Sequence, residues 1–155
     1  MKKIRSSKKG FTLAELLIVV AIIGVLVGIS IPIFTSQLEK SRESTDIANL
    51  RAAKAAAVTV YLEGVPDDVS TETRVTWNKD ATTNVYDGSF EAYYNAEEGK
   101  LQKTKPAATD AYGEGTTMVG KADNTQFDYD PNAAVTGKVI KVEVDAEGVC
   151  TFSWE

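Results

Sequence analysis

Lys8 to Phe34 reads KKGFTLAELLIVVAIIGVLVGISIPIF. From Leu16 to Phe34 it runs 19 residues without a charge. As a helix rising about 1.5 Å per residue, that run covers roughly 28 Å, close to the ~30 Å hydrocarbon core of a bilayer. A helix in a soluble core is apolar along one stripe, whereas this one is apolar on every face. The residues that follow, IPIFTSQLEKSRES, contain no A-x-A-like cleavage site, which argues against an ordinary secretory signal. A plain membrane anchor explains the length but not Glu15. An ionisable side chain costs about 2.5–3.5 kcal/mol at the bilayer centre and less near its edge. Glu15 is therefore a functional candidate that needs a partner.

Charge is unevenly spread. The chain has 155 residues and a net charge of −5, with no histidine and one cysteine, Cys150. Residues 1–10, MKKIRSSKKG, hold five basic residues and no acidic one, leaving 12 basic against 22 acidic over residues 11–155. A basic leader before an apolar run stays on the cytoplasmic side of a membrane. The acidic remainder argues against a general nucleic-acid-binding surface. Without histidine there is no His-based catalytic triad, and a Cys/His zinc site and an intramolecular disulfide are also excluded. No Gly-rich phosphate loop, nucleophile elbow or paired-carboxylate motif is present. The reading is a non-enzyme with no cofactor.

The stretch Lys9-Gly10-Phe11-Thr12-Leu13-Ala14-Glu15-Leu16-Leu17, followed by the apolar run, resembles the processing site of type IV prepilins. The pseudopilins of type II secretion and competence systems share this signature. The resemblance implies that a prepilin peptidase cuts between Gly10 and Phe11, discards the leader and N-methylates Phe11. Gly10 suits this, because a residue without Cβ lets another backbone approach closely. It further implies filament-assembly roles for Glu15 and Thr12. In a filament of packed apolar helices, Glu15 can pair with the Phe11 amine of a neighbouring subunit. Removing one partner of such a buried pair costs about 3–5 kcal/mol, so the pair penalises wrong axial register. Gly24, Gly28 and Pro32 read either as a tolerated membrane kink or as a segment that bends in the filament.

Helix formers continue through residues 36–63, with Ala52, Ala53, Ala55, Ala56 and Ala57 as a block. Leu50, Ala53, Ala57 and Val60/Tyr61 recur at helical spacing, as do Ile47, Lys54, Val58 and Leu62. Lys40, Arg42, Glu43, Asp46 and Arg51 read as a solvated or inter-subunit face. Gly64 and Pro66 are stop signals. One helix is expected over about 11–63. Its first part, 11–35, serves as transmembrane and later filament-core helix, and 36–63 as the spine of a head.

The head, 64–155, is expected to be β-rich, so the fold class is α+β: a type IV pilin fold with the helix packed on a small antiparallel sheet. Strand-like pieces are Val75–Trp77, Asn84–Tyr86 and Phe90–Tyr94, although 87–98 also reads as a short helix with Ser89 as N-cap. Lys138–Val144 and Val149–Trp154 flank a turn and read as a hairpin, with Ile140, Val142 and Val144 on one face and Cys150, Phe152 and Trp154 on the other strand's face. A further strand is expected at Gln126–Tyr129. Asp123, Asn124, Asp128, Asp130 and Asn132 lack EF-hand spacing, so they read as a solvated turn and no metal is expected. The aromatic residues read as core. Many Gram-negative pilins tie this region with a disulfide. The lone Cys150 leans instead toward a Gram-positive, clostridial-type member.

The resemblance implies a major pilin that self-assembles into a helical homopolymer for adhesion, motility or biofilm formation. Its implied partners are a prepilin peptidase, an assembly ATPase, an inner-membrane platform protein and, before assembly, membrane lipid. Its implied location is the cytoplasmic membrane and then the cell surface. No specific nucleic acid is expected. Two alternatives remain open: a major pseudopilin of a type II secretion system, and a membrane-anchored binding domain that never polymerises.

Overall fold

The structure, a computed structural model, describes residues 10–71, 73–118, 120, 127 and 129–155. The basic leader up to residue 9 lies outside them, as do Gln126, Asp123, Asn124 and Asp128. One helix, α1, spans Leu13–Glu63. It is followed by strands β1 (Thr76–Lys79), β2 (Tyr86–Asn95), β3 (Lys100–Gln102), β4 (Ile140–Val144) and β5 (Cys150–Trp154). The chain divides into two compact units, one ending at Thr35 and one covering Ser36–Glu155.

In the first unit the apolar side chains from Leu16 to Phe34 are exposed around the whole helix. This is the only helix among the described residues long and apolar enough to cross a membrane. Its polar side chains bond inward to their own backbone. Ser30 donates to the Leu26 carbonyl at 2.7 Å, and Thr35 donates to the Pro32 carbonyl at 3.0 Å. Helical hydrogen-bonding continues through Pro32. A proline ring crowds the carbonyl four residues back, which here belongs to Gly28, where nothing lies within 4 Å of a hypothetical Cβ.

In the second unit α1 buries Ile47, Leu50, Ala53, Ala57 and Val60. Successive residues in this stripe are three or four apart, so they share one helix face. Val58 and Leu62 are exposed and Lys54 faces solvent, so the second expected row is not a packing row. These side chains form one hydrophobic core with the inward-facing residues of the sheet. Gly64, at φ 77°, ends the helix in a conformation that L side chains rarely adopt.

The sheet is antiparallel, with β2 at its centre. β1 and β3 pair along one edge of β2 and β4 along the other, and β5 closes the far side. β2 overturns the short-helix reading of 87–98 and joins two expected pieces into one strand. Phe90, Ala92 and Tyr94 alternate inward, a period-2 pattern that a helix would scatter. Gly88, at φ 87°, is also incompatible with a helical turn. The terminal hairpin has the expected facing, with Ile140, Val142 and Val144 buried opposite Trp154, Phe152 and Cys150. Phe127 and Tyr129 are not in a strand but still join the core. β3 was not foreseen, because three residues are too short for alternation to show.

Phe90 and Ile140 are fully enclosed. Ile140→Val is expected to lower stability by about 1 kcal/mol through one lost methyl, read as a shift in the denaturant midpoint of the full chain in detergent.

Candidate functional site

Gly10 and Phe11 precede α1 and are exposed. No atom lies within 4 Å of where a Cβ on Gly10 would sit. Thr12 is the last residue before the helix. Its backbone N–H donates to Glu15 Oε2 at 2.8 Å and its hydroxyl donates to the same oxygen at 2.7 Å. In return the Thr12 hydroxyl oxygen accepts the Glu15 N–H at 3.3 Å. This is a reciprocal capping box, which satisfies backbone donors that the first turn would leave unpaired. The pattern Thr-x-x-Glu just before an apolar run was visible in the sequence and went unread. Its consequence is positional. The Glu15 carboxylate is drawn back onto Thr12, the residue that follows Phe11. Gly24, Gly28 and Pro32 recur every fourth residue on the same helix and are remote from this turn.

The second cluster was misread from sequence. Glu39, Glu43 and Asp46 are at most 2% exposed. Sequence reading placed Glu43 and Asp46 on a solvated or inter-subunit face, and burial corrects that. These positions continue the stripe of Leu50, Ala53, Ala57 and Val60 upward, and this phase was the available signal. What covers them is the stretch Glu114–Thr116 together with Gly120, a strap across the helix. Asp46 accepts the backbone N–H of Glu114 at 3.0 Å, that of Gly115 at 2.8 Å, and the Tyr129 hydroxyl at 3.1 Å. Glu39 accepts the Thr116 N–H, and Glu43 accepts the Gly120 N–H at 2.7 Å. Arg42 pairs with Glu39 at 3.2 Å.

Glycine is required where this strap touches the helix. A Cβ on Gly120 would come within 2.1 Å of the Lys40 backbone nitrogen, and one on Gly115 within 2.8 Å of Asp46 Oδ2. Burial tends to raise the Glu39 pKa, but the bonds from Thr116 and Arg42 outweigh it and hold it below the usual carboxylate range. For Asp46 burial wins, and its carboxyl is raised despite the bonds from Glu114, Gly115 and Tyr129. Tyr112 fixes the start of the strap, its hydroxyl donating to the Tyr94 carbonyl and accepting the Ile140 N–H, both at 2.9 Å. No group of three potential metal ligands occurs among the described residues.

Comparison with known proteins supports the N-terminal assignment first. Residues 5–31 match the family model described as the prokaryotic N-terminal methylation motif. The chain is 31% identical over 157 residues to a type IV major fimbrial protein, FimA, of Dichelobacter nodosus, covering 96% of this chain and 89% of that protein. It is 41% identical over 59 residues to fimbrial protein Q of Moraxella bovis, covering 38% of each. A type IV narrow pilus major component, PilA5, of Thermus thermophilus is 46% identical over 61 residues, covering 37% of this chain and 52% of that protein. Against the Moraxella and Pseudomonas fimbrial proteins the match spans only about 38% of their length. No solved structure matches the chain.

Proposed function

We propose, from the premise that the chain belongs to the type IV pilin family, that it is the major structural subunit of a type IV pilus. One observation carries this reading: the fimbrial likeness extends through 96% of the chain and so includes the head as well as the shared N-terminus. An α+β head on a long helix with an exposed apolar N-terminal half fits a membrane-anchored precursor that later polymerises. The relatives described above are pilins or fimbrial proteins, which favours neither the pseudopilin nor the non-polymerising anchor. The role is structural, with no catalysis of its own.

In this reading a prepilin peptidase cuts before Phe11 and methylates its amine. An assembly ATPase and an inner-membrane platform protein drive polymerisation. The exposed Gly10 and Phe11 support the cut, since a peptidase must reach an extended, uncovered backbone. Thr12 presents Glu15 toward the new terminus, and the stretch with Gly24, Gly28 and Pro32 is where the helix yields on packing. Adhesion, motility and biofilm formation are the uses such a fibre would serve. The lone Cys150 supports a Gram-positive, clostridial-type member.

Mass spectrometry of fibres sheared from the producing cells tests the whole reading. The expected result is a dominant chain beginning at N-methylated Phe11. Fibres lacking this chain, or a chain retaining residues 1–10, would overturn it.

A further inference from the structure

The two outer edges of the sheet differ. Along the edge shared by β1 and β3, the register of β1 with β2 shifts between Trp77 and Lys79, and Lys79 is exposed. An irregular register and an edge lysine keep a strand from pairing with another chain. The other edge, β5, has neither. Cys150–Trp154 keeps an unbroken register with β4 and contains no charged residue and no proline.

The hydrogen-bond pattern fixes which groups that edge presents. Val139 and Glu155 exchange both backbone bonds at 3.0 Å. In an antiparallel pair such doubly bonded positions alternate with unbonded ones, so Ser153 and Thr151 also bond to β4. The N–H and C=O groups of Cys150, Phe152 and Trp154 therefore point away from β4. Among the described residues no group bonds to them, and no strand lies on the far flank of β5. The side chains agree with this. Ile140 and Val142 are fully buried, whereas their partners Trp154 and Phe152 are only half-buried. On the opposite face of β5, Thr151 and Ser153 are exposed.

We propose that this edge docks the same strand of a second copy, paired antiparallel to it. With Phe152 opposite Phe152 of the second copy, Cys150 meets Trp154, and every outward N–H and C=O of the edge gains a partner. The main-chain bonds of an added strand supply the affinity. The same alignment sets Thr151 opposite Ser153, and aromatic and hydroxyl pairs of this kind are favourable across strands. No charge opposes another within the paired strands, and the irregular edge at β1 offers no equivalent strand. The contact uses one surface on both copies, so it is isologous and two-fold. Subunits within a helical fibre are related by a screw operation, so a two-fold contact joins two fibres. The inference rests on the pilin reading and adds that fibres bundle laterally through their heads.

The test uses fibres sheared from the producing cells, with bundling read as the fraction that sediments at low speed. Thr151→Lys with Ser153→Lys sets lysine opposite lysine across the contact. Thr151→Lys with Ser153→Glu sets lysine opposite glutamate. Both positions are exposed, so fibre amount is expected to stay at the parent level in each. The first chain is expected to lose bundling about tenfold, because like charges directly opposite destabilise a strand pair. The second is expected to bundle at least as well as the parent. Equal bundling in the two chains, or dispersal of both, overturns the contact. If the first chain gives less fibre, parent bundles are taken through a salt series instead. A contact made by uncharged strands is expected to survive about 1 M salt, where exposed ion pairs are screened, and dispersal there overturns the proposal. Parent fibres that never bundle overturn it too. Failure of the pilin reading looks different, because the parent itself would then give no fibre.

Discussion

Glu15→Leu is expected to leave the cell surface without fibres while the processed subunit still accumulates in the membrane. The side chain sits in the first turn of a helix whose next 19 residues carry no charge. In a packed filament the cationic Phe11 amine and the Glu15 carboxylate would both be withdrawn from water. Leucine leaves the amine buried without a counter-charge, a penalty of about 3–5 kcal/mol at every subunit contact. Repeated along a polymer, that shift moves the assembly equilibrium by more than a hundredfold per step, since each 1.4 kcal/mol is a factor of ten. Glu15→Gln separates two roles. Glutamine can still complete a capping box with Thr12, but it carries no charge. Fibre yield equal to the parent in Glu15→Gln would mean that the cap, and not the ion pair, is what assembly needs.

Asp46→Ala is expected to loosen the head without touching the N-terminus. Alanine leaves the N–H groups of Glu114 and Gly115 and the Tyr129 hydroxyl without their acceptor. A buried donor left unpaired costs about 1–3 kcal/mol, so a total loss of about 3 kcal/mol follows after partial relaxation. For a domain of this size that is a drop of about 15 °C in Tm, measured on the full chain in detergent. An unchanged Tm would show that the strap does not depend on Asp46. The pH dependence carries its own sign. Burial raises the Asp46 pKa in the folded chain, so the folded state binds this proton more readily than the unfolded one. That contribution is fully present below the unfolded value and is lost as pH rises through the folded one. The stability gap between parent and Asp46→Asn should therefore widen as pH falls through the folded pKa. Glu39, with its pKa lowered, contributes in the opposite sense, losing its share as pH falls through its folded value. Glu39 is common to both chains and cancels from this gap, so a gap that narrows on acidification would show that the folded state does not favour protonated Asp46.

Local patterns were legible and non-local ones were not. The apolar run, the stop at Gly64 and the terminal hairpin each follow from periodicity or backbone chemistry within about ten residues, and the structure has all three. The turn holding Thr12 and Glu15 was equally local, but its pattern passed unread beside the longer motif. β2 was split and given a helical alternative because Ser89 resembles a cap. Its true state depends on β1 and β3 along one edge and on β4 along the other, and β4 lies about fifty residues downstream.

The same distinction governs the charges of α1. By itself, the sequence determined one long helix over about 11–63, which the structure has as Leu13–Glu63, and that the first half would be apolar on all sides, because propensity and hydropathy are properties of neighbours. It also determined that 39, 43 and 46 share the phase of 50, 53, 57 and 60. Only the tertiary structure decided that carboxylates at that phase are buried and the cations exposed. The strap that supplies their partners lies about seventy residues later in the chain. Its backbone N–H groups exist in every sequence, so no residue type announces them. Gly115 and Gly120 let that backbone close on the helix, and the closing buries the three carboxylates.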